Sequence, residues 1–262
     1  MIELDINCLC WNPRGLNCPN RRDVVSDLVA STSCHIVCLQ ETKLQSVDSA
    51  MALHLGGYRL RNFAQKPADG TKGGILILWD DRVIQFLNVT TGTFSLSGDV
   101  AVCGSDISFK LTVVYGPTRG NLKDAFFAEL AALKPMAGTK WLVNGDFNQI
   151  YKANDKNRGN ANRSRIVRFR NALNSCELKE IHLQNRKFTW SNERQDPTLC
   201  KLDGFFCNEE WDITFPDHIL HALSSSLSDH CPLLLANAKD RENPKPFALR
   251  IFGSRCRGSR TP

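Results

Sequence analysis

The feature that most restricts the fold is a series of short apolar runs, each about as long as one β-strand. Residues 75–79 and 111–115 are two examples, and both are far too short to cross a bilayer. Other stretches, such as residues 166–176, have apolar residues at helical spacing. Short strands mixed with helices, joined by both hairpins and long crossovers, predict a layered α/β fold.

Chain length and composition favour one soluble domain. The 262 residues are 42% hydrophobic, which is enough for a sizeable core, and nothing before about residue 238 resembles a linker. We therefore expect one domain over residues 1–238 and a basic tail over residues 239–262. The tail contains Pro244 and Pro246 and then Gly-, Ser- and Arg-rich sequence, so we expect it to be disordered.

Cysteine usage and the N-terminus both indicate an intracellular protein. The eleven cysteines are odd in number, and neither Cys8/Cys10 nor Cys34/Cys38 has the C-x-x-C spacing of a zinc site. We interpret them as free buried thiols in a reducing compartment. The first five residues contain no basic segment, so a signal peptide is not expected. These observations favour the nucleus or cytoplasm and argue against secretion.

The positive charge is concentrated in two segments. Residues 152–170 carry seven basic side chains and one acidic side chain, and the last thirteen residues carry four arginines and no acid. The rest of the chain is mildly acidic, although the whole chain has a net charge of +6. Localised basic segments of this kind suit a polyanionic partner, and we expect that partner to be DNA.

The central candidate for a functional site is Gly-Asp-Phe-Asn at residues 145–148, directly after the apolar run 141–143. Asp146 and Asn148 lie two residues apart, so an extended backbone would direct both side chains to one side. A carboxylate and an amide in that position suit a phosphate or a hard cation. Taken alone, such a sequence is also typical of an ordinary capping turn.

Other polar residues also follow directly after apolar runs. A sheet whose strands end together would gather these groups on one rim. Each has a simpler interpretation as a turn former, a solvated acid or a packed aromatic, although a buried acid such as Asp203 needs a partner. These residues are Asn12, Glu41, Tyr115, Asp203, Ser228, Asp229 and His230.

The order of the motifs resembles the endonuclease/exonuclease/phosphatase superfamily, which includes AP endonucleases and pancreatic-type DNases. The resemblance runs from about residue 4 to residue 236. It implies a four-layered α/β-sandwich with two packed mixed β-sheets flanked by helices. The motifs are QET at 40–42, YGP at 115–117, GDFN at 145–148, LD at 202–203 and SDH at 228–230.

Three further motifs are similar to the endonuclease domain of plant LINE-type (non-LTR) retrotransposons, in which the domain nicks chromosomal DNA. They are WNPRG at 11–15, FTWSN at 188–192 and LSDHCPL at 227–233. Two departures are visible. Gly204 stands where retrotransposon relatives tend to have a basic residue, and residues 115–117 lack the histidine of secreted pancreatic DNases. From about residue 249 the sequence fits no pattern of this family.

The resemblance implies a metal-dependent phosphodiesterase mechanism. Asp146 would deprotonate the attacking water, while Asn148 and Tyr115 would contact the scissile phosphate. His230 would donate to a phosphate oxygen, with Asp203 fixing its tautomer. The ion would be Mg²⁺, for which Mn²⁺ could substitute. The metal ligands would be Glu41, Asp229 and Asn12.

The basic segment 152–170 comes directly after GDFN and supplies candidate residues for binding nucleic acid. They are Arg163, Arg165 and Arg168, which would lie along the DNA backbone, although a solvated loop and helix face would have the same composition. Thr189 and Ser228 would position the phosphate and neighbouring acids. No small organic cofactor is expected, and a monomer is favoured.

Three functions fit the sequence. The first is a Mg²⁺-dependent DNA-nicking endonuclease derived from a LINE-type retrotransposon. The second is an AP endonuclease or a phosphatase of the same superfamily. The third is a non-catalytic or decayed transposon remnant that at most binds nucleic acid, which the unusual C-terminal sequence would suit.

Overall fold

The computed structural model describes residues 6–238. The expected tail at 239–262, and the first residues of a strand expected from Glu3 to Trp11, lie outside this range. The strands in chain order are β1 (Cys8–Trp11), β2 (Ile36–Gln40), β3 (Asn62–Asp69), β4 (Lys72–Trp79), β5 (Ile84–Thr91), β6 (Ser95–Val102), β7 (Ser108–Tyr115), β8 (Trp141–Asp146), β9 (Lys179–Glu180), β10 (Trp190–Ser191), β11 (Leu199–Cys200), β12 (Asp203–Cys207), β13 (His218–Ala222) and β14 (Leu233–Asn237). The α-helices are α1 (Pro19–Ser31), α2 (Ser49–Gly56), α3 (Lys123–Ala132), α4 (Arg163–Ser175) and α5 (Glu209–Thr214).

Two six-stranded mixed sheets form the centre of the fold. The first sheet has the order β13-β14-β1-β2-β4-β3, and only β1 and β2 run parallel within it. The second sheet has the order β5-β6-β7-β8-β12-β9, with β7 and β8 as its parallel pair. A two-stranded ribbon, β10-β11, stands apart from both sheets.

Strand alternation explains how the sheets are layered. Cys8 and Cys10 of β1 lie in the core between the sheets, whereas Leu9 and Trp11 pack on the outer face with residues of α1 and α2. The outer face of the second sheet packs against Phe126 of α3, together with residues of α4. Because the central strands are buried on both faces, their sequences are continuous apolar runs. The result is the expected four-layered sandwich of helices, sheet, sheet and helices.

Local details differ from the sequence expectations at three places. Asn20 is a plausible N-cap from its residue type, but α1 begins at Pro19 with Cys18 at the N-cap, because proline at the first position needs no N–H partner. The sequence of residues 58–63 is typical of a strand, but β3 begins only at Asn62, since α2 ends in a turn. The sequence reading missed α5, although Asn208 caps this helix by accepting from the Trp211 N–H.

Within residues 6–238, no helix has both the length and the apolar character needed to span a membrane. Several cysteines, including Cys8, Cys38 and Cys207, are buried thiols. Burial raises the pKa of the Cys207 thiol to about 12.

Candidate active site

The ends of strands from both sheets meet at one edge of the sandwich. The parallel pairs β1/β2 and β7/β8 finish there, and the antiparallel strands β12 and β14 begin there. Tyr115 pairs with Asp146 in the ladder, and Asp146 pairs with Asp203 on its other side. Asn12 bridges the sheets, since its Nδ2 lies 3.0 Å from Asp146 Oδ2 and 3.2 Å from Glu41 Oε2.

Asp146 is buried at the centre of this cluster. The backbone N–H and the side-chain Nδ2 of Asn148 both donate to it, at 2.8 and 3.1 Å. Burial raises the pKa of Asp146 to about 7, opposed by the charge of His230 and reinforced by that of Asp203. A buried carboxyl group that titrates near neutral pH has the property required of a general base.

Asn148 reaches Asp146 by a different route from the expected one. Its backbone is left-handed, with a φ of 48°, so the two side chains converge through a tight turn and not along an extended strand. Its Nδ2 also donates to the Gly116 carbonyl at 2.9 Å. Gly145 permits the close approach of β8 to β7, because a Cβ there would lie 2.0 Å from the Val114 carbonyl oxygen.

Behind this turn lies Lys123, which the sequence reading did not single out. Its ammonium group donates to the carbonyl oxygens of Asn148 and Phe147, at 2.7 and 3.4 Å. Burial lowers the pKa of Lys123 to about 8, despite the nearby charge of Asp146, and the charge of Arg165 lowers it further.

A second chain of contacts passes through His230. Its Nδ1 lies 3.0 and 2.9 Å from the two carboxylate oxygens of Asp203, and its Nε2 lies 3.8 Å from Asp146 Oδ2. Burial alone would lower the pKa of His230. The charges of Asp203 and Asp146 and the bond to Asp203 outweigh this effect and raise the pKa to about 9. At neutral pH the imidazole is therefore a cation aimed at Asp146.

Thr189 lies behind Asp203 and not at the surface. Its hydroxyl donates to Asp203 Oδ2 at 2.6 Å and accepts from the backbone N–H groups of Leu202 and Asp203. The side chain is buried. The hydroxyl thus holds a neighbouring acid, and the contact of Thr189 with nucleic acid stays a prediction.

Glu41 occupies the opposite wall of the site, with a left-handed φ of 49°. Burial opposes its ionisation, but hydrogen bonds from Asn12, Lys43 and Tyr115 outweigh burial and lower its pKa. The Lys43 ammonium lies 3.1 Å from Glu41 Oε1. Burial and the charges of Glu41 and Asp146 raise the pKa of Tyr115 above its ordinary range, so this hydroxyl keeps its proton.

The segment 228–230 closes the remaining side. The Ser228 hydroxyl donates to the Asn12 carbonyl at 2.8 Å, which fixes this segment against the end of β1. The Asp229 carboxylate accepts from the Trp190 indole at 2.8 Å and from the Arg14 guanidinium at 2.5 Å. Arg14 and Trp190 belong to motifs visible in the sequence, but the sequence alone gave neither residue a role.

A groove of about 330 Å³ opens beside these residues, which leaves room for a ligand at the surface. Its wall includes Phe188, Trp190, Ser228, Asp229 and His230. We call this groove and the adjoining carboxylates the cleft.

The chemistry of the cleft suits a hard divalent cation. Asp146, Asp203 and His230 each offer a ligand atom, and these atoms all lie within 4.8 Å of one another. His230 is already hydrogen-bonded to Asp203, however, whereas the Glu41 carboxylate is partly exposed and its charged partner is the flexible side chain of Lys43. Carboxylate and amide oxygens are the ligands that such ions prefer.

The three arginines expected to bind nucleic acid all lie on α4. Asn162 caps this helix by accepting from the Arg165 N–H. Arg165 approaches Gly120 in the loop after β7, on the side of the helix nearest the GDFN turn. Arg168 forms an ion pair with Asp124 of α3, so part of its charge is neutralised.

Comparison with solved structures places known nucleases among the folds similar to this one. The AP endonuclease LMAP from Leishmania major is 14% identical with a TM-score of 0.69, over 89% of this chain and 87% of that one. The Xenopus laevis APE2 catalytic domain is 16% identical with a TM-score of 0.70, over 88% and 92%. The endonuclease domain of TRAS1, a telomere-specific non-LTR retrotransposon, is 13% identical with a TM-score of 0.64, over 89% and 98%. At these identities the likeness concerns the fold.

Comparison with curated protein sequences found no match. A family model does match, over residues 5–230, and it describes the Endonuclease/Exonuclease/phosphatase family. Members of that family are typically hydrolytic nucleases and phosphatases that depend on a divalent metal. The match includes every residue that the sequence predicted for the site, from Asn12 to His230. This chain therefore belongs to the endonuclease/exonuclease/phosphatase family.

Proposed function

We propose that this protein is a Mg²⁺-dependent phosphodiesterase that nicks DNA, of the kind found in LINE-type retrotransposons. The observation that carries the proposal is the buried line of Asp203, His230 and Asp146, with Glu41 on the facing wall. It combines a base, a cation and an oxygen ligand within one cleft, and phosphodiester hydrolysis requires all three.

Each side chain has a distinct task in this proposal. Asp146, whose pKa lies near neutral, takes the proton from the attacking water. His230 stays protonated through its bond to Asp203 and donates to a non-bridging phosphate oxygen. Asn148 keeps Asp146 in one orientation through its two hydrogen bonds. Tyr115 remains protonated, and its hydroxyl donates to the Glu41 carboxylate.

Glu41, with Asn12 beside it, would hold the divalent ion, which when bound supplies charge compensation at phosphorus. The arrangement suits this because Glu41 is ionised and its partners Asn12 and Lys43 hold both oxygens in place. Lys43 occupies a cation position that an ion could take over, since a lysine side chain is flexible.

A nicking assay on supercoiled plasmid tests the proposal. We expect conversion to open circles with Mg²⁺ and none with EDTA. Asp146→Asn is the matched control, because it keeps the shape of the side chain and removes the base. Activity that is equal in the variant, or insensitive to EDTA, would contradict the proposal.

An AP endonuclease or phosphatase is the second candidate, because the folds of LMAP and the APE2 catalytic domain are similar to this one. An abasic duplex and inositol phosphates, supplied beside the intact plasmid, separate these activities. A strong preference for the abasic duplex, or hydrolysis of the small phosphates alone, would favour this second function. Folded protein that acts on none of them would indicate a non-catalytic remnant.

The DNA partner is supported by the basic character of α4. Arg163 and Arg165 lie in the first turn of this helix, and Arg165 approaches Gly120 in the loop after β7. We expect the double change Arg163→Gln and Arg165→Gln to weaken DNA binding. The log–log slope of affinity against salt should flatten by up to about 2, because each phosphate that an arginine neutralises contributes ~0.9 to it. Adding Arg168→Gln should have a smaller effect, because that residue is paired with Asp124.

A charge-matched control removes two arginines at the end of the first sheet that is remote from the cleft. Arg61 and Arg82 pair there with Asp81 and Asp80, beyond the end of β4 that is remote from Glu41. Replacing both with glutamine lowers the net charge equally. A salt slope that falls as much in this control as in the α4 variant would show that overall charge, and not α4, binds the DNA.

A further inference from the structure

Arg14 and Asp229 form the tightest ion pair within the cleft. The guanidinium Nη1 lies 2.5 Å from Asp229 Oδ2. The Trp190 indole N–H donates to the same oxygen at 2.8 Å. The other oxygen, Oδ1, lies 3.4 Å from the Ser228 hydroxyl. Asp229 is therefore a carboxylate whose negative charge already has a cationic partner and an additional donor.

The position of Arg14 is fixed by its backbone. Its φ of 55° is left-handed, and its N–H donates to Asn12 Oδ1 at 3.0 Å, which ties the turn to the amide that bridges the two sheets. From this turn the charge of Arg14 also interacts with Glu41 and Tyr115. The guanidinium thus faces the same cleft as the proposed metal ligand.

The same side chain is open to solvent on its outer side. Arg14 is 50% exposed, whereas the Asp229 side chain is only 7% exposed. A guanidinium has five N–H donors, so the bond to Asp229 leaves others for a ligand. A planar guanidinium group that is held in place by a buried carboxylate can donate two parallel hydrogen bonds to the oxygens of a phosphate.

These contacts alter the expectation that Asp229 is a metal ligand. A divalent ion on Asp229 would lie next to a guanidinium of the same sign, and it would compete with the two donors that Asp229 Oδ2 already accepts from. Glu41 differs in this respect, because its partner Lys43 makes one contact at 3.1 Å through a flexible stem. The two carboxylates are therefore not equivalent sites for a cation.

We propose that Asp229 anchors Arg14, and that this arginine, in place of a second metal ion, binds the substrate phosphate on its side of the cleft. The proposal rests on the proposed function in that it assigns the substrate as a phosphodiester. It predicts one divalent ion per chain, held at Glu41. It also makes Arg14 a residue that contacts the substrate directly.

Titration with Mn²⁺, followed by electron paramagnetic resonance, tests the metal side of the proposal without turnover. We expect one ion per chain, lost in Glu41→Gln and retained in Asp229→Asn with affinity within about threefold of wild type. Arg14→Gln should free Asp229 and allow a second ion to bind. The double variant Arg14→Gln with Asp229→Asn should return to one ion.

Binding of a fluorescent duplex in EDTA tests the phosphate side. We expect Arg14→Gln to weaken binding about tenfold, equivalent to ~1.4 kcal/mol. Arg14→Lys should recover only part of this affinity, because it keeps the charge but not the fork. Arg82→Gln serves as the charge-matched control and should bind within about twofold of wild type. Circular dichroism of each variant confirms that it is folded.

Two results would overturn the proposal. One is loss of Mn²⁺ in Asp229→Asn to the same extent as in Glu41→Gln. The other is unchanged DNA affinity in a folded Arg14→Gln variant. Neither readout needs cleavage, so a protein that fails to nick DNA would contradict the proposed function without deciding the role of Arg14.

Discussion

Replacing Lys123 with methionine would separate two effects of this buried ammonium group. The side chain is only 5% exposed, and its Nζ lies 2.7 Å from the carbonyl oxygen of Asn148. The group therefore holds the turn that orients Asp146, but its charge is costly to bury. Methionine has a similar length and no charge, so the variant removes both effects with little change in packing.

The size of the effect follows from the pKa of Lys123, which burial lowers from 10.5 to about 8. Between these values the unfolded chain binds the proton and the folded chain does not, so stability rises with pH over that window. Each pKa unit of difference contributes ~1.36 kcal/mol, so the free energy of unfolding of the wild type is about 3 kcal/mol higher above pH 10.5 than at low pH. This gain is lost as the pH falls to 8. Methionine has no proton to release, so only the wild type gains.

At pH 7 we expect the wild type and Lys123→Met to be nearly equal in stability. The variant loses the hydrogen bonds to the two carbonyl groups, which costs roughly 1–3 kcal/mol, but it also no longer buries a charge, and the two effects offset each other. By pH 10 the wild type should be more stable than Lys123→Met by about 2–3 kcal/mol. Urea denaturation at pH 7, 8.5 and 10, in EDTA and a reducing agent, measures this difference. Titrating groups that do not interact with Lys123 contribute equally to both proteins and cancel.

Lys110 provides a matched control. Its ammonium donates to the Leu133 carbonyl at 2.7 Å, and burial lowers its pKa too, but it lies far from the GDFN turn. Lys110→Met should keep normal nicking, whereas Lys123→Met should lower kcat with little change in KM. A stability difference for Lys123→Met that stays constant from pH 7 to 10 would refute the reasoning.

Three further substitutions test the positioning of the catalytic groups. Thr189→Val should cost about 1–3 kcal/mol of unfolding free energy in urea, since it removes one buried donor to Asp203 and the acceptor of two backbone N–H groups; an unchanged midpoint would contradict this. Asp203→Asn should lower the pKa of His230 from its value of about 9, because it removes a negative charge that raises this pKa. The raised pKa gives the wild type stability that is present below pH 6.5 and is lost as the pH rises to 9, so the variant should be less stable below pH 6.5; NMR titration of the ring checks the pKa. Gly116→Ala should reduce nicking more than tenfold, because the Cβ would lie 2.3 Å from a backbone carbonyl oxygen. Gly204→Ala, with its nearest neighbour at 3.5 Å, should be tolerated in the same assay.

The convergence of the cleft could be predicted from the sequence because it depends on strand direction. A polar residue directly after an apolar run marks the end of a strand, and parallel strands end at the same edge. Tyr115 and Asp146 illustrate this, since they are partners in the β7/β8 ladder. The same runs predict a layered α/β fold, whereas the four-layered arrangement came from the resemblance to the family.

The pairing of charges within the cleft could not be predicted in this way. Arg14 and Asp229 are 215 residues apart, and their contact depends on a left-handed turn that the sequence does not announce. Lys123 reads as an ordinary first residue of an amphipathic helix. Only the packing of α3 behind the GDFN turn explains why this lysine is buried. The cap at Asn208, by contrast, was a readable signal, since two acidic residues follow it.

The balance of charge around Asn12 gives a reason why the cleft suits one divalent ion. The Asn12 amide donates to Glu41 and Asp146, which come from the two sheets, and two further acidic side chains lie close by. Three side-chain cations contact these acids directly, which leaves about one negative charge when all the acids are ionised. When a divalent ion takes over the position of Lys43, the ion and the two remaining cations balance the four acids, whereas a second ion would leave an excess of two positive charges. The acids are Glu41, Asp146, Asp203 and Asp229, and the cations are Arg14, Lys43 and His230.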